Sequence, residues 1–179
     1  MKEGIVEIFG DVVARMTDES SIAEVNYIFG NDKYIKDALD ALSKIPSSSV
    51  HRHKFPLVAL FTPFVEKRGL ADYETKASVN VLIACSSRQE WSNEKRLENS
   101  FEKILRPLYE RLLEELKKDS RIEVPYSGVI PHTYSENYGY GRYGAYTQSG
   151  EPISEPIDAI NVGSLEITIK KQLCNNRQK

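Results

Sequence analysis

The chain has 179 residues, of which 40% are hydrophobic and 28% are charged, and its formal net charge is −2. This length supports one globular domain over residues 1–179, in which roughly 70% of the surface of the unfolded chain is buried. The mildly acidic balance excludes the cationic field that draws basic proteins to nucleic acid or anionic lipid, and no apolar run approaches the roughly 20 residues that span a bilayer.

The N-terminal part of the sequence predicts two helices with a strand between them. Apolar residues recur every three or four positions from Ile5 to Met16, the spacing of an amphipathic helix that ends near Thr17. Apolar residues then alternate over 23–29, which predicts a short strand. Gly30-Asn31-Asp32 then supplies a turn and an N-cap for a second helix over about 33–44.

The next part of the sequence predicts a central hairpin. Residues 56–62 are apolar almost throughout, which is typical of a strand covered on both faces. A charged turn follows, and Val79, Val81, Ile83 and Cys85 then alternate along a second strand. Cys85 is predicted to lie in the core, and its distance in sequence from Cys174 favours reduced thiols over a disulfide framework.

A long helix and a final pair of apolar runs complete the predicted elements. The helix covers about 93–118, with Ser92 as its N-cap, and Pro107 predicts a kink or break near Lys103. Apolar runs over 157–162 and 165–173 predict strands, with a bulge at Gly163 between them. Hairpin-linked strands with separate helices predict a single α+β domain, with a mostly antiparallel sheet and helices packed on one face.

The stretch Tyr138-Gly-Tyr-Gly-Arg-Tyr-Gly144 contains the letters of a G-x-G-x-x-G phosphate loop. A real loop of this kind follows a buried strand and opens a helix, and neither is predicted here. Residues 134–156 instead read as a Tyr/Gly/Pro-rich loop or arm, and 134–146 hold five of the ten tyrosines. Because Tyr and Arg are enriched at interfaces, the predicted oligomer-interface residues are Tyr138, Tyr140, Arg142, Tyr143 and Tyr146.

Other polar groups form no recognisable site in the sequence. His51 and His53 share a strand-like spacing and His132 is a third histidine, but no acidic or cysteine cluster accompanies them. The acidic residues, Asp158 among them, are predicted to be solvated and unpaired. The sequence therefore predicts no catalytic residues, no metal site and no cofactor.

Five short motifs follow the predicted elements in order. They are Pro56-Leu-Val-Ala-Leu-Phe61, Val79-x-Val-x-Ile83, Arg96-x-Glu-x-x-Phe101 leading to Leu105-x-Pro-x-Tyr-Glu110, Pro131-His-Thr133, and Asp158-Ala-Ile160 with Leu165-x-Ile167. Over about residues 24–173 this order resembles small ring-forming virion proteins from the neck and upper tail of tailed bacteriophages, in particular the crAss-like phages. The predicted topology is also similar to the tail-completion, or tail-terminator, class.

The resemblance implies a non-enzymatic structural subunit of the virion, assembled in the host cytoplasm. Identical copies, six or twelve of them, are expected to close a ring that joins the portal or connector to tail proteins, with DNA passing through the lumen without specific binding. Two alternatives stay open. In the first, the chain is a small nucleotide-binding enzyme that uses the Gly139–Gly144 loop. In the second, it is a soluble adaptor domain that binds another protein.

Overall fold

A computed structural model describes residues 4–18, 24–43, 55–69, 74–140 and 156–170. In chain order they form α1 (Ile5–Asp18), β1 (Asn26–Gly30), α2 (Asp32–Ser43), β2 (Leu57–Phe61), β3 (Val65–Arg68), β4 (Glu74–Ser86), α3 (Asn93–Arg96), a π helix (Leu97–Leu105), α4 (Arg106–Lys118), β5 (Thr133–Tyr140) and β6 (Ile157–Lys170).

The six strands form one mixed sheet. Its order is β1-β2-β4-β6-β5, and β3 lies beside β4 off this path. β1 and β2 are parallel, and every other pair is antiparallel. β4 is long, so its first half pairs with β3 and its second half with β2. Among the described strands, β1 and β5 therefore end the main path of the sheet.

The main core lies between one face of the sheet and the helices α1, the π helix and α4. Phe9, Phe101 and Leu108 are buried there against inward residues of the central strands such as Val58 and Val81. Apolar residues at three- and four-residue spacing give each helix the single stripe that this packing needs.

A smaller cluster lies on the opposite face of the sheet. Ile35 of α2 packs there with Ala59, Leu82 and Ala84, which alternate with the residues of the main core. β2 is buried on both faces, so a second layer is required to cover it. The α+β class and the mostly antiparallel sheet predicted from the sequence are confirmed. The predicted packing of the helices on one face holds for α1, the π helix and α4 but not for α2, which covers the second face.

The long helix is irregular before Pro107, where the sequence predicts a kink or break, and it does not break there. The chain stays helical from α3 through α4 but follows a π helix over Leu97–Leu105, and the N–H of Arg106 donates to the carbonyl of Phe101, five residues back. Proline has no N–H and its ring strikes the carbonyl four residues before it in an α-helix. The wider turns of the π helix leave room for the ring of Pro107, so the helix continues through this residue. Ser92 caps the start as predicted, accepting from the N–H of Lys95.

The bulge predicted at Gly163 is confirmed. Gly163 and Ser164 lie together opposite Asn80, between the pairs Val79 with Leu165 and Val81 with Val162. Ser164 has a positive φ of 50°, and its N–H donates to the side chain of Asn80 at 2.9 Å. The two apolar runs, which the sequence predicts to form one or two strands, are one strand, β6, up to Lys170. Residues 171–173 of the second run lie outside the described residues.

Part of the predicted Tyr/Gly/Pro-rich arm belongs to the sheet. Residues 134–140 fall within β5, which pairs with the first half of β6. Their polar and glycine content led to a loop prediction, but pairing with a buried strand supplies the hydrogen bonds and packing that their propensity lacks. Residues 141–155 lie outside the described residues.

Candidate functional site

The residues of β5 that face the helices form a row at the end of the sheet. Tyr134, Glu136 and Tyr138 alternate along the strand and therefore share one side of it. The Tyr138 ring stacks on Phe101 of the π helix with ring centroids 4.2 Å apart. The Tyr134 ring contacts the ring of Tyr109 on α4 edge-on, with ring centroids 4.8 Å apart. The row is thus seated against the helices, with two half-exposed phenol rings.

Glu136 is the centre of this row. Its carboxylate accepts from Nε and Nη2 of Arg106 at 2.7 and 3.2 Å. It also accepts from the hydroxyl of Tyr134 at 2.6 Å and from that of Tyr138 at 3.1 Å. The Arg106 hydrogen bonds hold the pKa of Glu136 below its ordinary value, although partial burial opposes them. Four donors leave this carboxylate ionised and fixed in position.

The two tyrosines of the row are held in their neutral form. Burial, followed by the hydrogen bond to Glu136, raises the pKa of Tyr134 to about 12. The same two causes, in the same order, raise the pKa of Tyr138. The two residues stay 41% and 38% exposed, so each ring is half available to another molecule. Neutral, oriented phenols of this kind suit contact with a protein surface better than proton transfer.

Tyr109 and His132 extend the row beyond the first residue of β5. The hydroxyl of Tyr109 lies 2.7 Å from Nε2 of His132, and Nδ1 of His132 lies 2.7 Å from the carbonyl of Ile130. Since a carbonyl only accepts, Nδ1 carries a proton, and in neutral His132 the Tyr109 hydroxyl donates to Nε2. Tyr109 packs against the main core.

A buried polar network lies behind the row and includes Asp158. This side chain is 0% exposed, and Oδ1 accepts from Nη1 of Arg96 at 2.9 Å. Oδ2 accepts from the hydroxyl of Ser100 at 2.6 Å, and Oδ1 accepts from the backbone N–H of Gly139 at 2.8 Å. The prediction that Asp158 is a solvated, unpaired acid is wrong, because β6 is buried on both faces where this residue lies.

Arg96 uses its donors to connect this network to the end of β4 and the turn after it. Its Nη1 donates to Ser87 at 2.6 Å, its Nη2 to the carbonyl of Arg88 at 2.7 Å, and its Nε to the carbonyl of Trp91 at 3.2 Å. The guanidinium of Arg88 in turn lies over the Trp91 ring, 5.7 Å from its centroid. A buried cation with this many partners fixes the geometry of the turn.

Cys85 borders the same network from β4. Burial raises the pKa of this thiol to about 12, and the nearby Asp158 charge also raises it. A thiol in this environment stays protonated at neutral pH and is a poor nucleophile. The predicted core position of Cys85 is confirmed.

The interface residues predicted from the sequence fall into two groups. Tyr138 and Tyr140 belong to β5, and only Tyr138 has a described side chain. Arg142, Tyr143 and Tyr146 lie outside the described residues. Tyr138 is partly committed to its own chain through Phe101 and Glu136, so its exposed side alone is available to a partner.

The first glycine of the G-x-G-x-x-G letters has a structural role. Gly139 has a φ of 75° and lies in the irregular part of the β5–β6 pairing, between Asn137 and Tyr140. Its N–H already donates to the carboxylate of Asp158. A phosphate held by this amide would meet that negative charge at hydrogen-bond distance, which argues against the phosphate-loop interpretation at this residue.

The three histidines cannot be compared as a set. His51 and His53 lie outside the described residues, and His132 is bound to Tyr109 and Ile130. Within the described ranges, no three His, Cys, Asp or Glu side chains are placed to share a metal ion. None of the helices described is long and apolar enough to cross a bilayer.

Sequence reasoning missed Arg96, Arg106 and Glu136. A signal for Glu136 was present, because Tyr134, Glu136 and Tyr138 have the two-residue period of a strand. Arg96 and Arg106 lie on a helix whose other charges are solvated, and nothing in their local sequence marks them as partners of residues far along the chain. In comparisons with known proteins, no family model matches this sequence and no curated protein matches it.

Proposed function

We propose that this chain is a structural subunit of a phage virion that forms a ring at the head–tail neck or the top of the tail. The order of the motifs from Pro56 to Ile167 motivates the family, and the α+β fold with its mostly antiparallel sheet agrees with it. The observation that carries the assembly role is the Tyr134-Glu136-Tyr138 row, oriented and half exposed on the strand that ends the sheet.

The row has the composition of an interface centre. Tyrosine offers a large rigid contact area and a polar end at low entropic cost, and arginine adds directional donors. Here Arg106 and Glu136 orient the rings before any partner arrives. A preoriented surface loses less entropy on binding than a mobile one, so its contact area is converted into affinity more efficiently.

A ring also explains the position of the row. β5 has a strand partner on one side only among the described residues. The Tyr/Arg-rich stretch from Tyr140 to Tyr146 continues directly from β5. The row is a candidate contact surface for the next copy. A heterologous contact of this kind closes into a ring when the rotation from one copy to the next divides a full turn.

The direct test is electron microscopy of the purified chain, alone and mixed with a portal or tail protein. We expect rings of one diameter with a central channel, alone or on the partner. A protein that stays monomeric with every virion component would overturn the proposal. If the chain instead bound one cellular protein as a monomer, the adaptor interpretation would replace it. A thermal shift with NAD or ATP would favour the enzyme interpretation.

A triple variant tests the predicted interface residues without touching the described fold. Arg142→Ser, Tyr143→Ser and Tyr146→Ser replace no residue of β5. We expect normal folding by circular dichroism and loss of ring formation. Deletion of residues 138–150 is a poorer test, because it also removes Tyr138 from Phe101 and Gly139 from Asp158.

A further inference from the structure

A tightly held loop presents a fully exposed tyrosine. Between α4 and β5 the chain makes a turn in which the N–H of Gly128 donates to the carbonyl of Pro125 at 2.8 Å. Tyr126 in this turn is fully exposed, and Val129, three residues later, is 58% exposed. A tyrosine with no contact area in its own chain adds nothing to the stability of the fold, and tyrosine is a preferred anchor residue at interfaces.

The base of this loop is fixed on both sides. Ile122 and Ile130 are each 2% exposed and belong to the main core. The N–H of Glu123 donates to the carbonyl of Thr168, and the N–H of Glu166 donates to the carbonyl of Pro131. The tip is therefore held in a defined position relative to the sheet, and Tyr126 is presented as a rigid knob.

A groove suited to such a knob opens on another part of the molecule. It lies between α1 and β1 and has a volume of about 300 Å³. Gly10 and Ala14, one helical turn apart, line the groove on the α1 side, and Val25 and Tyr27 form the opposite wall. The volume exceeds that of one phenol side chain, and the walls combine apolar and aromatic surface with the polar side chains of Thr17 and Glu24.

The base of the knob loop and the groove both border the main core, but they lie beside different strands of the sheet. Ile122, at the base of the loop, pairs with Ile169 of β6. The groove borders β1, which is separated from β6 in the sheet by β2 and β4. Because Tyr126 is fully exposed, it does not occupy the groove of its own chain. A contact between the two surfaces must therefore join different copies, and it is heterologous.

The charges around the two surfaces are complementary. Exposed Lys117 lies in the last turn of α4, and exposed Lys170 donates its backbone N–H to the carbonyl of Arg121, so both border the start of the loop. Glu123 and Glu166 are also exposed at the base of the loop. Glu24 lines the groove. Burial and, to a smaller extent, the negative charge of Glu7 raise the pKa of the groove residue Tyr27, so Glu7 is also close to the groove. Lysines beside the knob and carboxylates beside the groove attract one another, and a groove carboxylate can accept from the Tyr126 hydroxyl.

We infer that Tyr126 of one copy inserts between α1 and β1 of the next copy. This inference rests on the proposed ring and names one contact that builds it. A single tyrosine buries about 150–250 Å², far less than a stable interface needs, so the knob acts together with the β5 row, which follows the same loop in the chain.

The test uses two variants that each lose one half of the contact. Tyr126→Ala removes the knob, and Ala14→Arg fills the groove at an exposed helix position while adding a charge that repels the lysines. We expect each variant alone to be monomeric in light scattering coupled to gel filtration, with self-association weakened at least about tenfold. An equal mixture should form a dimer and stop there, since it holds one intact knob and one intact groove.

Tyr34→Ala is the matched control, because Tyr34 is a second exposed tyrosine, on α2, and its loss should leave assembly as in the wild type. Wild-type assembly by Tyr126→Ala would overturn this inference and leave the ring proposal intact. A mixture that stays monomeric would overturn the pairing of knob with groove. A wild-type chain that never self-associates would overturn both the inference and the ring.

Discussion

The carboxylate of Asp158 accepts a hydrogen bond of 2.8 Å from the backbone N–H of Gly139. The two residues lie on neighbouring strands, and the bond fixes β5 at the point where its pairing with β6 becomes irregular. Gly139 has a φ of 75°, a conformation that favours glycine. A buried charge on β6 thus sets the backbone of the strand that leads into the Tyr/Gly-rich segment.

Replacement of Gly139 by alanine should therefore destabilise the protein. A residue with a Cβ in the left-handed region costs about 1–2 kcal/mol in the free energy of unfolding. Urea denaturation gives this cost, and Gly128→Ala is the matched control, because Gly128 also has a positive φ of 70° and a Cβ there would meet no atom within 4 Å. We expect Gly139→Ala to cost at least as much as Gly128→Ala. A neutral Gly139→Ala variant would contradict the role assigned to this conformation.

The Arg96–Asp158 pair should behave as a coupled unit in a double-mutant cycle. Asp158→Asn leaves a buried cation without its carboxylate, and Arg96→Met leaves a buried carboxylate without its cation, so each should cost about 3–5 kcal/mol. In the double variant no buried charge is left uncompensated, and the side-chain amide that replaces the carboxylate can still accept from the N–H of Gly139. We expect the double variant to be less destabilised than the sum of the single variants. Additive losses in urea denaturation would show that the two residues act independently.

The sequence predicted the fold class better than it predicted these contacts. Helical spacing from Ile5 to Met16 and alternation around Cys85 report local burial, and both elements are present. The Arg96–Asp158 pair joins residues 62 positions apart, and no local pattern encodes such a partner. Asp158 was misjudged for the same reason, since an acid in a strand is normally solvated unless a distant cation is brought to it.

The β5 row shows how tertiary contacts override local preference. Residues 134–140 are rich in Tyr and Gly beside Ser, Glu and Asn, a composition typical of loops. They form a strand because β6 offers a paired edge and Phe101 offers an apolar surface for Tyr138. The sequence does not predict the π helix, because Pro107 indicates a kink or break, and no local pattern shows that the helix widens instead.

Asp119 should make the stability of the protein sensitive to acid. Hydrogen bonds from Arg121 hold the pKa of Asp119 below its ordinary value. Burial opposes this effect, and a further hydrogen bond from Arg15 adds to it. A group with a lowered folded pKa stabilises the protein fully above its unfolded pKa, near 4, and this contribution is lost as pH falls further. Asp119→Asn should therefore cost about 1–3 kcal/mol at neutral pH and less below about pH 4.

Urea denaturation at several pH values measures this difference between the wild type and Asp119→Asn. Asp11→Asn is the control, because Asp11 also pairs with Arg121 but its side chain is 57% exposed. It should change the free energy of unfolding by less than about 1 kcal/mol at every pH. Parallel pH profiles for the wild type and Asp119→Asn would contradict the assignment to Asp119.

Glu136→Gln should separate assembly from stability. The Arg106–Glu136 pair is partly exposed, so its loss should lower the free energy of unfolding by about 1 kcal/mol or less. The tyrosines of the row would lose their shared anionic acceptor, and under the ring proposal self-association should weaken by roughly tenfold. Analytical ultracentrifugation measures the association. Glu98→Gln, which removes an exposed pair with Lys103, is the control and should assemble normally.

Gly10→Ala should move stability and self-association in opposite directions. Gly10 lies inside α1, where alanine is favoured over glycine by about 0.5–1 kcal/mol. A Cβ there would lie 3.5 Å from the Tyr27 ring, an ordinary contact that the fold accepts without moving. The same methyl group narrows the groove that we assign to Tyr126 of the next copy. We therefore expect a higher midpoint in urea and weaker association, and an increase in both would exclude the groove as the site of the knob.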